Sequence, residues 1–255
     1  MKPPIDKEKK PFLRPLLFYI LIFEAAAAFS GFVCLKFPPR DPYPCQSNIP
    51  GKTDLIWSGL TSRKLAALTF DDGPDPRFTP EILQILHKYK VKATFFVVGR
   101  MALLYPGLVK RELKEGHEIG NHTFDHLYLR TQSPQTVERE ILKTELILHN
   151  LTDRASPWFR PPKGQVTHTI ALETARFRKT MILWSYCIEH REAAESRSMV
   201  QKAAKAAFPG IIILAHDGLG DRKETVEALP GVIMAYKKMG YRFVTISAML
   251  KASEI

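Results

Sequence analysis

The sequence predicts an α/β fold of parallel strands joined by crossover helices, and three observations carry that expectation. From about Lys64 onward, short apolar runs alternate with amphipathic, helix-like segments, and strand–helix–strand repeated this often implies parallel strands joined by crossovers. Runs such as Ile211-Ile212-Ile213-Leu214 are apolar at consecutive positions, as strands covered on both faces should be. Chemically reactive residues cluster at the C-terminal ends of the runs, the end at which sites form in barrels and open α/β sheets.

Before that domain, Met1 to Arg14 is basic, with Lys2, Lys7, Lys9, Lys10 and Arg14 against Asp6 and Glu8. Pro15 to Leu35 is almost wholly apolar, with Glu24 its one charge, and about twenty such residues are enough to span a bilayer. Positive residues before the span favour a cytoplasmic N-terminus with the rest outside. The expected layout is a cytoplasmic segment 1–14, a transmembrane signal-anchor 15–36, a linker 37–62 rich in Pro, Gly and polar residues, and a folded domain 63–252. A cleavable signal peptide is the rival reading, because Ala25-Ala26-Ala27-Ala28 offers small-residue cleavage positions.

Within the domain the expected strands are Leu65–Phe70, Ala93–Val98, Glu118–Asn121, Trp158–Arg160, Met181–Tyr186, Gly210–Ala215 and Arg242–Ile246. The expected helices are Pro80–Tyr89, Pro106–Glu115, Pro134–Leu148, Ser198–Phe208 and Thr225–Lys238, several with a proline at or near the first turn. With 45% apolar and 25% charged residues in a chain of 255, one good core is attainable. The net charge of +11 fits a solvated basic surface or contact with an anionic wall polymer or lipid headgroups. No compact Lys/Arg run interleaved with aromatics points to nucleic acid. Cys34, Cys45 and Cys187 lack metal-ligand spacing.

Thr69-Phe70-Asp71-Asp72-Gly73-Pro74 sets two adjacent carboxylates where the first run meets a turn. Neighbouring carboxylates repel, so both stay ionised only against a cation or strong donors. Taken alone, the stretch is also good turn chemistry. His122-Thr123-Phe124-Asp125-His126 places two imidazoles at i and i+4, on one face of a helical turn, where they can share an ion. One carboxylate and two histidines leave positions open for water, the layout of a catalytic rather than a structural zinc site. The second carboxylate can then act as general base. His216 ends the Ile211–Ala215 run; titrating near working pH, it can protonate a departing amine. Arg160-Pro161-Pro162-Lys163-Gly164 can set a guanidinium beside the base, keeping it ionised, with backbone amides near Lys163 aimed at a developing oxyanion. His117 precedes its strand and stands apart from the site.

These pieces together resemble the polysaccharide deacetylases, the N-deacetylases of chitooligosaccharide, chitin and peptidoglycan. The family motifs T-F-D-D-G, H-[ST]-x-x-H, R-P-P-x-G and L-x-H correspond to Thr69–Gly73, His122–His126, Arg160–Gly164 and Leu214–His216, in order, within about Lys64 to Leu250. The resemblance implies a distorted (β/α) barrel of seven or eight strands. It implies a divalent metal, usually Zn2+, on Asp72, His122 and His126. It further implies Asp71 as base, His216 as acid, Arg160 orienting Asp71, and Pro161 and Lys163 on the substrate and oxyanion side. The implied reaction is hydrolysis of an acetamido group to a free amine and acetate.

One family motif, D-x-x-D-W, is not retained: the chain reads Tyr186-Cys187-Ile188-Glu189-His190-Arg191. The first Asp aligns with Cys187, the second with His190 and the Trp with Arg191; Glu189 substitutes only if the loop shifts by one. Lys163 stands where many relatives carry Tyr, which resembles the peptidoglycan-directed members. The leading expectation is a membrane-anchored, extracytoplasmic N-deacetylase of a cell-envelope glycan. The alternatives are a catalytically impaired glycan-binding protein on the same fold, and a cytoplasmic amide hydrolase whose apolar N-terminus is buried.

Overall fold

The computed structural model describes residues 55–189 and 195–253. The basic segment, the apolar span, most of the linker, and His190 and Arg191 lie outside the described residues. Among the described residues, no helix is long and apolar enough to cross a membrane.

Among the described residues, nine strands form one sheet in which every strand pairing is parallel: β1 (Leu55–Ile56), β2 (Leu65–Asp71), β3 (Thr94–Val97), β4 (Glu118–Asn121), β5 (Trp158–Phe159), β6 (Thr180–Ile182), β7 (Tyr186–Cys187), β8 (Ile211–His216) and β9 (Arg242–Val244). The order is β1-β6-β5-β4-β3-β2-β8-β7. Strand β9 pairs with Leu65–Ala67, below the stretch Thr69–Asp71 that holds β3. The sheet curls into a half-barrel. Ser58 bridges to Ile211, and the Ser185 N–H reaches the Ile212 carbonyl, so the β1–β6 end turns toward β8.

The expected elements are present with two corrections. The run Met181–Tyr186 is not one strand: it breaks at Leu183–Ser185 into β6 and β7. A further strand, β1, falls inside the stretch read as linker; at two residues it is too short to show an alternation. The helices are α1 (Phe78–Lys88), α2 (Gly99–Leu104), α3 (Pro106–Lys114), α4 (Pro134–Thr152), α5 (His168–Arg176), α6 (Ser196–Lys205), α7 (Lys223–Lys238) and α8 (Ile246–Lys251). Pro106 and Pro134 open α3 and α4 in their first turns, where a missing N–H costs nothing. Ser133 caps α4 by accepting from the Thr136 N–H.

Strand alternation decides which side chains can reach the site. Ala66, Leu68 and Phe70 of β2, with Ile211, Ile213 and Ala215 of β8, pack in the large core with Ile82, Leu86, Val232 and Ile233 of α1 and α7. Leu65, Ala67 and Ile212 belong to a second core on the opposite face, with Phe96 and Ile182. The period of two therefore sends Thr69, Asp71, Leu214 and His216 to that opposite, inner face. Register completes the placement, since Asp71 pairs directly with His216 across β2 and β8.

Candidate active site

Asp71 ends β2 and Asp72 follows with φ 76°, a left-handed conformation that is costly outside glycine. That turn sends the two adjacent carboxylates to different partners. It is held by a close approach: a Cβ on Gly218 would lie 2.1 Å from the Asp72 carbonyl oxygen, so only glycine fits against it.

Arg160 is fully buried, and every polar branch of its guanidinium is committed. Its Nη1 donates to Asp71 Oδ1 at 2.6 Å and to Thr69 Oγ1 at 2.9 Å; Nε donates to the Ile182 carbonyl and Nη2 to that of Leu183, both at 2.9 Å. The Phe96 ring lies 4.0 Å beneath the guanidinium. Gly120, paired with Phe96 across β3 and β4, leaves room for that ring. The expected Arg160–Asp71 pairing is thus present, and the geometry fixes the position of the Asp71 carboxylate.

The two histidines do not sit on a helical turn. His122 to His126 is an irregular loop with left-handed residues at Thr123 (φ 68°) and His126 (φ 55°). The loop is tied by backbone bonds to buried side chains. The Thr123 N–H donates to Asn121 Oδ1, and the Phe124 and Asp125 N–H groups both donate to Glu140 Oε2. The rings still meet, with centroids 5.1 Å apart. His122 Nδ1 lies 2.7 Å from the Arg160 carbonyl, so it carries the proton and donates it, leaving Nε2 as the lone-pair nitrogen. That Nε2 lies 3.4 Å from Asp72 Oδ1, and His126 Nε2 lies 3.1 Å from the same oxygen.

With lone pairs on both Nε2 atoms, the three ligand atoms are close enough to share one cation. Zinc–ligand bonds of about 2.0–2.1 Å in a tetrahedron place ligand atoms roughly 3.3 Å apart, which matches these spacings. Asp72 Oδ1 is buried without a hydrogen bond of good geometry. Asp72, His122 and His126 therefore fit a divalent metal.

His216 closes β8 beside these carboxylates. Its Nδ1 bonds to Glu189 Oε2, while its backbone N–H donates to Glu189 Oε1 at 3.1 Å. Thr225 Oγ1 donates to the same Oε1, and Arg222 Nη1 approaches Oε2 to 3.6 Å. Burial would lower His216; the Glu189 carboxylate more than offsets this, aided by Asp71 and Asp72, and leaves the imidazole above its ordinary value. Glu189 therefore supports His216 from within the segment that departs from the family motif, as the one-residue shift requires.

The Arg160 loop continues through Pro161, whose carbonyl accepts from the Gly164 N–H, to Lys163 at φ 57°. Lys163 Nζ lies 5.6 Å from the centre of the exposed Tyr128 ring, two residues past His126. His117 stands apart, as expected: it is buried, accepts from the Ala93 N–H through Nδ1, and is held down to about 4, chiefly by burial. Sequence reasoning did not single out Thr69, Glu140, Arg222 or Thr225. Arg222 also lies 3.6 Å from Asp72 Oδ2 and so bridges toward both carboxylates. Its only signal was its place in the turn after His216.

Residues 58–182 match the polysaccharide deacetylase family. A peptidoglycan-N-acetylglucosamine deacetylase of Bacillus cereus is 41% identical over 199 residues, spanning 77% of this chain and 93% of the relative. The peptidoglycan-N-acetylmuramic acid deacetylase PdaA of Bacillus subtilis is 31% identical over 80% of this chain and 78% of its own. Among solved structures, the Bc1960 peptidoglycan N-acetylglucosamine deacetylase superposes with TM-score 0.75 at 36% identity, over 79% of this chain and 95% of that one. BA3943 of Bacillus anthracis, a CE4 family pseudoenzyme, gives 0.72 at 28% identity, over 78% and 69%. The chain belongs to the polysaccharide deacetylase family.

Proposed function

We propose that the protein is a zinc-dependent N-deacetylase of a cell-envelope glycan, with peptidoglycan as its substrate, releasing acetate and leaving a free amine. The single observation that carries this reading is the convergence of four distant segments. Asp71-Asp72, His122/His126, Arg160 and His216 meet at one end of the sheet, close enough together to serve one reaction. The two relatives named for peptidoglycan, matched over most of their own length, support the choice of glycan.

Asp72, His122 and His126 would hold the ion. When bound there, a divalent cation supplies Lewis-acid polarisation and lowers the pKa of water. The chain's own groups do the rest. Asp71, oriented by Arg160 Nη1, takes a proton from the attacking water. As the acetyl C–N bond breaks, the leaving amine needs a proton. His216 delivers it from Nε2, because Nδ1 is engaged by Glu189. Backbone at Pro161–Lys163 flanks the acetyl oxygen, and the Tyr128 and Lys163 side chains border the glycan.

Likeness to a pseudoenzyme means that fold alone does not decide activity. The motive for a non-catalytic reading was the altered D-x-x-D-W segment. The Glu189 contact with His216 supplies the acid support that this segment lacked. The basic flank and apolar N-terminal stretch support anchoring at residues 15–36 with the domain, about 63–252, outside the membrane. The test is acetate release from acetylated peptidoglycan and from chitooligosaccharides, with and without a chelator. Chelator-sensitive release from peptidoglycan is expected. No release from either substrate in added zinc or cobalt would sink the enzymatic reading.

A further inference from the structure

A second cluster of metal-ligating side chains lies beside the first. One ligand atom each from Cys187, Glu189 and His216 lies within 4.8 Å of the other two. Cys187 closes β7 and His216 closes β8, and those strands pair with Cys187 opposite Leu214. All three residues are half-buried, none fully enclosed. A thiolate with a carboxylate and an imidazole is a zinc donor set, and the thiolate selects zinc and softer ions over magnesium or calcium. The Asp72 triad contains no sulfur, so the two clusters differ in kind.

We propose that Cys187, Glu189 and His216 form a second site for a thiophilic divalent cation such as Zn2+ or Cd2+, and that filling it inhibits the enzyme. The exchange balances: one dication enters while Cys187 Sγ and His216 Nδ1 each release a proton, and Glu189 is already ionised. Local charge is unchanged. The same step removes the Nδ1 bond to Glu189 and leaves the imidazole held neutral on the cation, unable to act as the imidazolium that protonates the leaving amine. The charged groups around the cluster rank the two sites. Arg222 lies 3.6 Å from Glu189 Oε2, and the Arg160 charge is felt at Cys187; both oppose a cation there. Asp71 and Asp72 act on His216 from the other side. The Asp72 triad therefore fills first and the sulfur site second.

The inhibitory half of this proposal rests on the deacetylase reading; the binding half does not. The purified chain, loaded with one equivalent of Co2+, is titrated with Cd2+. Ultraviolet thiolate-to-cadmium absorption and acetate release are followed together. The expected result is a growing thiolate band with release falling about 10²-fold, the worth of a general acid. In Cys187→Ala, starting activity is retained, the Cys187-dependent part of the band is lost, and so is the inhibition. Cys34 and Cys45 are common to both proteins, so the difference reports on Cys187 alone. An identical band and identical inhibition in Cys187→Ala would overturn the site. A Cys187-dependent band with undiminished release would overturn the inhibitory role. A Cys187-dependent band in a protein that releases no acetate at any stage would uphold the site and reject the deacetylase reading.

Discussion

Glu189→Gln removes the charge that supports His216 while keeping the side chain's shape. The native carboxylate serves two donor sets: Oε2 takes His216 Nδ1, and Oε1 takes the His216 backbone N–H and Thr225 Oγ1. A carboxamide has one oxygen, so its NH2 group must face donors on one side or the other. Hydrogen bonds to charged groups are worth about 1.5–3 kcal/mol, enough to decide which form of the imidazole is favoured. Burial already presses His216 down and Glu189 is the main group raising it, so the substitution lowers it. The acid must start protonated. Activity in the variant therefore fails on the alkaline side at a lower pH than in the wild type. The assay is the rate of acetate release against pH for both proteins. Stability follows the same sign. A raised histidine contributes stability that is fully present below its unfolded pKa and is lost as pH rises through its folded pKa. The wild-type urea midpoint should therefore decline over that window, and the Glu189→Gln midpoint should not. Coincident alkaline limbs for the two proteins would refute the assignment of Glu189.

Three further substitutions probe the frame around the site. Gly218→Ala brings a Cβ to 2.1 Å from the Asp72 carbonyl; displacing that ligand should weaken metal affinity about 10–100-fold in a competition titration. Lys179→Met breaks a buried pair with Glu145 and a bond to the Ser156 carbonyl, each 2.5 Å, and should cost about 3–5 kcal/mol in urea unfolding. Glu112 is fully buried, both its oxygens lack partners, and burial followed by the Asp217 charge raises its pKa well above the ordinary value. Its contribution is intact at acidic pH and erodes as pH rises through the folded pKa, by about 1.4 kcal/mol per unit. Glu112→Gln should match the wild type in acid and exceed it in that window, by urea midpoint against pH.

Much of the site was legible because strand periodicity is short-range. The alternation of β2 and β8 fixes which side chains share a face, and motif order places Asp71, Arg160 and His216 at strand ends. Pairing partners were not legible, because they depend on backbone that departs from regular structure. Spacing at i and i+4 suggested a helical turn for His122 and His126. Left-handed residues at Thr123 and His126, held by Asn121 and Glu140, bring the rings together by another route. Strand β1 escaped because two residues carry no period. The β6–β7 break falls in a largely apolar run at Ser185, whose hydroxyl bonds the Trp57 carbonyl. Glu189 was visible only as a one-residue shift, a choice made in space by the Nδ1 of His216.

The central claim is that Asp72, His122 and His126 hold an ion while Asp71 does the proton chemistry beside it. Metal content and acetate release, measured together on the wild type and Asp71→Asn, test it most directly. The account predicts one bound divalent ion per chain in both proteins and acetate from the wild type alone. Undiminished acetate from Asp71→Asn, or release by a wild-type chain stripped of metal, would contradict it.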